Sequence, residues 1–140
     1  MLRAVADTNV IYAAIYSDIG ASNELLELLI AGRWKLVLSN TLLAEYEEVL
    51  RRAAGPLGVT REEIEDFLDE LCEMAERYSL RTDWTPILPD PDDEAQVHLA
   101  SESGADYIVT HNMRHFEPAR ALGIAVLTPK EFLNIVRNQP

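Results

Sequence analysis

The chain has 140 residues and a formal net charge of −12, from 12 Lys and Arg against 24 Asp and Glu. That length suits one domain burying roughly 68–70% of the surface its unfolded form exposes, without help from a disulfide. The acidic balance excludes broad non-specific binding to a phosphate backbone, which needs a basic footprint, and no apolar run approaches the length of a membrane span.

The first element is Met1 to Val10, a short apolar run that stops on an acid. Leu2, Ala4, Val5 and Ala6 suit a strand buried on both faces of a parallel sheet. Asp7 then falls at its carboxyl end, where open α/β sheets place ligands. Asp7 also has a plain structural use, as the N-cap of the helix that follows, and Asn9 would serve equally well. These ten residues leave the two readings even. The run lacks a basic leader followed by a long apolar core, so it does not read as a signal peptide.

Ile11 to Tyr16 continues as an apolar helical turn that Gly20 breaks. Ser22 is the expected cap of a second helix, with Leu25, Leu26, Leu29 and Ile30 on its buried face and Gly32 at its end. Trp34 to Leu38 is the second strand. Ser39, Asn40 and Thr41 are cap candidates for a helix carrying Leu42, Tyr46, Val49 and Leu50 at helical spacing. Glu47 and Glu48 stand four residues before Arg51 and Arg52, the pattern of a solvated face. Glu45 differs, because it borders the apolar stripe at the start of a helix that follows a strand. Its structural alternative is a helix-edge acid whose stem packs while its head reaches water.

Gly55, Pro56 and Gly58 are expected to break the chain, and Thr60 with Glu63 forms a capping box. The next helix has the stripe Ile64, Phe67, Leu68, Leu71, Ala75 and Tyr78. Cys72 lies inside this pattern and reads as a small core hydrophobe, a lone thiol that suits a reducing cytoplasm. Residues Leu80 to Leu88 are candidates for a short edge strand, weakened by Pro86 and Pro89. Asp90-Pro91-Asp92-Asp93-Glu94 is the densest acidic run in the chain. Asp90 as cap and Pro91 at the first helical position make a good helix start, yet four acids in five residues exceed what capping requires. Glu94 and His98, four apart, have the spacing to share a metal. Gly104 ends that helix, Ala105 to Thr110 is a buried strand, and Ile124 to Leu127 is the last strand. Thr128 and Pro129 then open a helix containing Phe132, Leu133 and Val136.

Strands alternating with helices predict an α/β domain of three layers, with a parallel sheet of four to five strands and helices on both faces. Right-handed crossovers bring the ends of the first, second and fourth strands to one rim.

On ADTNV at Asp7, AEYEEVL at Glu45, DPDDEAQVHLA, and GADYIVTHNMRHF leading to GIAVLTPKEFL, the whole chain resembles the PIN domain (PilT N-terminus) family. That family comprises divalent-metal ribonucleases and includes the toxin halves of VapBC-type toxin–antitoxin pairs. The resemblance implies that Asp7, Glu45 and Asp93 are its three principal acids; Asp93 is preferred to Glu94 because Ala100 then falls at the family's small position seven residues later. Where the family often has a fourth acid, this chain has Asn112, which brings no charge; Asp90 and Glu94 are the nearby acids that would compensate. Converging carboxylates suit Mg²⁺ or Mn²⁺ better than zinc. The implied reaction is hydrolysis of an RNA phosphodiester, with Thr110 and Asn112 positioning water, ligand or phosphate and with His111, Arg114 and His115 meeting the RNA backbone. Implied partners are RNA, an antitoxin protein and a second copy of the chain, in the cytoplasm. The competing class is a non-catalytic PIN-like module acting through RNA or protein contacts. A third reading, a haloacid-dehalogenase-like phosphatase with Asp7 as nucleophile, is disfavoured by Asn9 where that family has its second Asp.

Overall fold

The computed structural model describes residues 1–17, 20–80, 86–88 and 90–140. In chain order the elements are β1 (Arg3–Ala6), α1 (Thr8–Tyr16), α2 (Ala21–Ile30), β2 (Lys35–Ser39), α3 (Asn40–Leu57), α4 (Arg61–Met74), β3 (Glu76–Tyr78), α5 (Pro91–Ser103), β4 (Tyr107–Val109), a 3₁₀ turn (Met113–Phe116), α6 (Glu117–Ala121), β5 (Val126–Leu127) and α7 (Pro129–Asn138). The strands form one parallel sheet in the order β3-β2-β1-β4-β5. This is the expected three-layer α/β architecture, with all five strands present.

After Arg3, strand β1 carries only small apolar side chains and is central: Ala4, Val5 and Ala6 are buried, as are Leu36, Val37 and Leu38 of β2 beside it. Helix α5 packs across β1, β2 and β4. Helices α1, α2 and α7 pack together, with the Trp34 ring edge-on to Phe132 at 5.2 Å and its indole N–H donating to the Leu25 carbonyl at 2.8 Å. From β1 the chain moves outward through β2 to β3, then returns to place β4 on the other side of β1. The order therefore reverses between β1 and β4, which opens a crevice at their carboxyl ends.

Several boundaries differ from those expected. Gly20, not Ser22, precedes the first turn of α2, at φ 100°, a backbone conformation that glycine adopts without a Cβ penalty; Ser22 is the second residue of the helix and is buried. Ile30, expected on the buried face, is 61% exposed at the last position of the helix. Pro56 does not stop α3, which runs to Leu57 and closes at Gly58, φ 71°. There the Val59 N–H reaches the Ala54 carbonyl at 3.0 Å, the six-to-one bond of a Schellman end. Helix α4 stops at Met74 rather than carrying its stripe to Tyr78, since Glu76–Tyr78 pair in register with Val37–Ser39 as the edge strand. The strand expected between Leu80 and Leu88 is thus displaced: residues 81–85 lie outside the described residues, and 86–88 form no strand. The expected capping box of Thr60 with Glu63 forms, and a second, of Thr128 with Glu131, opens α7. Among the described residues no helix is long and apolar enough to cross a membrane.

The amino edge of the sheet is gathered by Arg3. Its Nε donates to Glu76 Oε2 at 2.9 Å, and its terminal nitrogens donate to the Tyr78 hydroxyl at 2.8 Å and to the Ser103 carbonyl at 2.9 Å. One side chain thereby ties β1 to the edge strand and to the end of α5. The hydrogen bond from Arg3 holds the Glu76 carboxyl below its ordinary 4.5. A folded-state pKa lower than the unfolded one contributes stability that is present above the unfolded value and lost as pH falls through the folded one. Glu76→Gln is therefore expected to lower the denaturation midpoint near pH 7, with the gap to the native chain closing as pH drops below about 4.5. Urea titrations at successive pH values measure that gap.

Candidate active site

Asp7 is placed by the β1–β4 register. Ala6 pairs with Val109, so the next pair along is Asp7 and Thr110, and the Asp7 N–H donates to the Val109 carbonyl at 2.8 Å. Although Asp7 occupies the N-cap position of α1, its side chain makes no capping bond. Its Oδ2 instead accepts from the Thr110 hydroxyl at 2.6 Å, and its Oδ1 from Gln96 Nε2 on α5 at 2.8 Å. The carboxylate is only 6% exposed. A cap would need neither donor, which settles the structural use of Asp7 against the capping role.

Glu45 arrives from the second turn of α3. Ser39 caps that helix, its Oγ accepting from the Leu42 N–H at 3.1 Å. Tyr46 anchors the helix to β1, its hydroxyl donating to the Ala6 carbonyl at 2.5 Å. Burial first, and then the charges of Asp7 and Glu45, push that hydroxyl well above its ordinary 10.0, so it remains a donor. Glu45 Oε1 accepts from the Thr8 hydroxyl at 2.8 Å, which draws the α3 acid towards the residue next to Asp7. Asp93, in the first turn of α5, lies with its Oδ2 3.3 Å from His115 Nδ1.

A cleft of about 410 Å³ is lined by Asp7, Glu45, Asp90 and Asp93, with Thr8, Asn9, Tyr12, Val49, Asn112 and His115 completing its walls. Acids distant in sequence thus border one space at the sheet reversal. An adjoining recess is lined by Asp90, Asp93, Arg114, His115 and Pro118, so Arg114 stands beside the cleft and not in it. Thr110 is fully buried beneath, its Oγ1 also accepting the Asn112 N–H at 3.0 Å.

Two expected residues are placed elsewhere. Glu94 is buried, its oxygens accepting from the Ile87 N–H at 3.0 Å and the Leu88 N–H at 2.6 Å; it fastens the segment before α5 to the helix. His98 Nε2 lies 3.6 Å from Glu102 Oε1, and neither Glu94 nor His98 is among the described residues that line the cleft. His111 faces Ser22, Nε2 to Oγ 3.3 Å, outside the cleft lining.

The donors fit a hard divalent cation, since carboxylates, an amide and hydroxyls offer oxygen and the only imidazole lining the cleft among the described residues is already against Asp93. Among the described residues no three acids, histidines or cysteines are drawn close enough to form a ready-made cage. Gln96 is the residue that sequence reasoning missed; its signal was a polar side chain three positions after Asp93, on the face that carries Ala100.

An α/β fold with acids from β1, α3 and α5 around the sheet reversal defines a class of carboxylate-lined α/β domains. Residues 3–114 match the PIN domain family, and the chain belongs to it. Two solved structures are similar in fold. One is VapBC2 from Rickettsia felis bound to a DNA fragment from its promoter, with TM-score 0.64, 18% identity, and 91% of this chain and 98% of that chain covered. The other is VapBC-1 from nontypeable Haemophilus influenzae, with TM-score 0.62, 18% identity, and 92% and 99% covered. No curated protein sequence matches the chain.

Thr110→Val keeps the shape of the side chain but removes both the donor to Asp7 and the acceptor of the Asn112 N–H. Leaving a buried carboxylate short of a donor costs about 1–3 kcal/mol. The expected outcome is a lower urea midpoint with an unchanged slope; an unaltered midpoint would mean that this bond adds nothing to the folded state.

Proposed function

We propose that the protein is a divalent-metal-dependent endoribonuclease, and that Asp7, Glu45 and Asp93 hold Mg²⁺ or Mn²⁺. The observation that carries this reading is the meeting of acids from three distant elements, together with Asn112, on one cleft at the sheet reversal of a PIN domain. A bound divalent ion supplies activation of water and charge neutralisation at the scissile phosphate.

The chain's own residues have separable tasks. Asp7, kept in one orientation by Thr110 and Gln96, is the fixed ligand. Glu45 accepts from the Thr8 hydroxyl and Asp93 lies against the His115 ring, and the two are the further ligands from α3 and α5. Asn112 accepts or donates a hydrogen bond to water or phosphate without adding charge, which favours one well-held ion over two, because mutually repelling cations need anionic ligands between them. Asp90 borders the same cleft and is the acid placed to assist; Glu94 is engaged with backbone N–H groups. Arg114 and His115 at the adjoining recess offer the cationic and hydrogen-bonding groups that an RNA strand requires next to an acidic cleft. Single-stranded or loop RNA is the preferred substrate, since its flexible backbone and splayed bases can enter the cleft.

The two solved structures described above are VapBC structures, and this supports a toxin role with an antitoxin protein as partner. A second copy of the chain is a further partner, for which exposed Ile30 and Leu122 provide apolar surface. The lone Cys72 suits a cytoplasmic setting.

Purified protein is expected to cut single-stranded RNA in Mn²⁺ or Mg²⁺ and to stop in EDTA. Mn²⁺ should raise the melting temperature, and Asp7→Asn should remove most of that rise. Asp93→Ala should be folded and inactive. A melting curve indifferent to metal, together with no cleavage over a broad RNA panel, would overturn the proposal and leave a non-catalytic binding module in its place.

A further inference from the structure

Gln96 is fully buried on α5, with no exposed surface. Its Nε2 donates to Asp7 Oδ1 at 2.8 Å, while its Oε1 has no hydrogen-bond partner among the described residues. A buried amide with a bare carbonyl is a poor choice for stability alone, because the unmet acceptor costs desolvation that an apolar side chain would avoid. Its neighbours Val97, Leu99 and Ala100 are the apolar residues expected there, and they are buried too.

The position of Gln96 gives this bond a second effect. It follows Asp93 by three residues on the same helix, so the two side chains share a face. The bond to Asp7 therefore fixes the distance between β1 and the very face of α5 that presents Asp93. The Thr110 hydroxyl holds Oδ2 and Gln96 holds Oδ1. One donor would leave the carboxylate free to swivel about that contact, whereas donors on both oxygens, from separate elements, fix its plane.

We propose that Gln96 is a positioning residue for cation binding: it orients the Asp7 carboxylate and sets its separation from Asp93 without touching the ion. This rests on the metal-dependent reading above. Hydrogen-bond partners of metal ligands characteristically influence affinity about 10- to 100-fold.

The test is Mn²⁺ titration by calorimetry of the native chain, Gln96→Met, Asp7→Asn and the double variant, each checked for folding by circular dichroism. Gln96→Met preserves length and volume and removes the donor; Gln96→Leu is the second variant should the first fail to fold. Gln96→Met is expected to weaken Mn²⁺ binding at least tenfold while retaining native circular dichroism. In the Asp7→Asn background the same change should have no further effect, a coupling that a merely structural glutamine would not show. Native affinity in the folded Gln96 variants, or losses at the two positions that simply multiply, would overturn the role of Gln96 and leave the nuclease reading standing. A native chain that binds no Mn²⁺ would overturn both.

Discussion

The carboxylate of Asp7, accepting from Thr110 and Gln96 at the place where the sheet reverses, is the point on which the rest of the site depends. Three elements meet there: the end of β1 carries the acid, and β4 and α5 carry its donors. A buried carboxylate is costly unless its oxygens are hydrogen-bonded, so the two donors make the central acid tolerable in a core that otherwise contains Ala6, Val109 and Val97. The same bonds align the elements that bring Asp93 and Asn112 to the cleft.

Charge explains why this arrangement asks for a cation. Asp7, Glu45, Asp90 and Asp93 border one cleft in a chain whose net charge is −12, and like charges brought together in partly buried space oppose one another. Within the cleft, His115 beside Asp93 and the hydroxyl of Thr8 on Glu45 give local relief. A divalent ion gives more, and by reversing the local sign it makes an acidic domain compatible with a phosphate-bearing substrate. On the proposed reading, the acidity of the whole surface does not exclude an RNA substrate, whose contact would be confined to the cleft and the recess of Arg114.

The sequence revealed much of the frame because its signals were local. A buried parallel strand reads as a short apolar run, so β1, β2 and β4 were visible, and the position of Asp7 at the end of the first followed from strand length. Thr60 announced its helix through the Glu three residues later, and Thr128 with Pro129 marked the start of the last one. The edge strand β3 was hidden because Tyr78 prolongs the helical stripe of Leu71 and Ala75; what ends the helix is pairing with β2 and the grip of Arg3, both long-range. Gln96 was hidden for a similar reason. Its partner Asp7 is 89 residues away, and a polar residue just after an acidic run reads as solvated until β1 is laid against α5. Glu94 shows the reverse error of emphasis: its charge drew attention as a ligand, while its place on the helix turns it towards two backbone N–H groups.

The central claim is that acids from β1, α3 and α5 close on a single divalent ion beside a carboxylate held from both sides. Anomalous diffraction from crystals grown in Mn²⁺ tests it most directly. One strong Mn²⁺ peak is expected, coordinated by carboxylate oxygens of Asp7, Glu45 and Asp93, with Gln96 and Thr110 still bonded to Asp7. An ion held elsewhere, by Glu94 and His98 for example, or no ordered ion with those three acids apart, would contradict it.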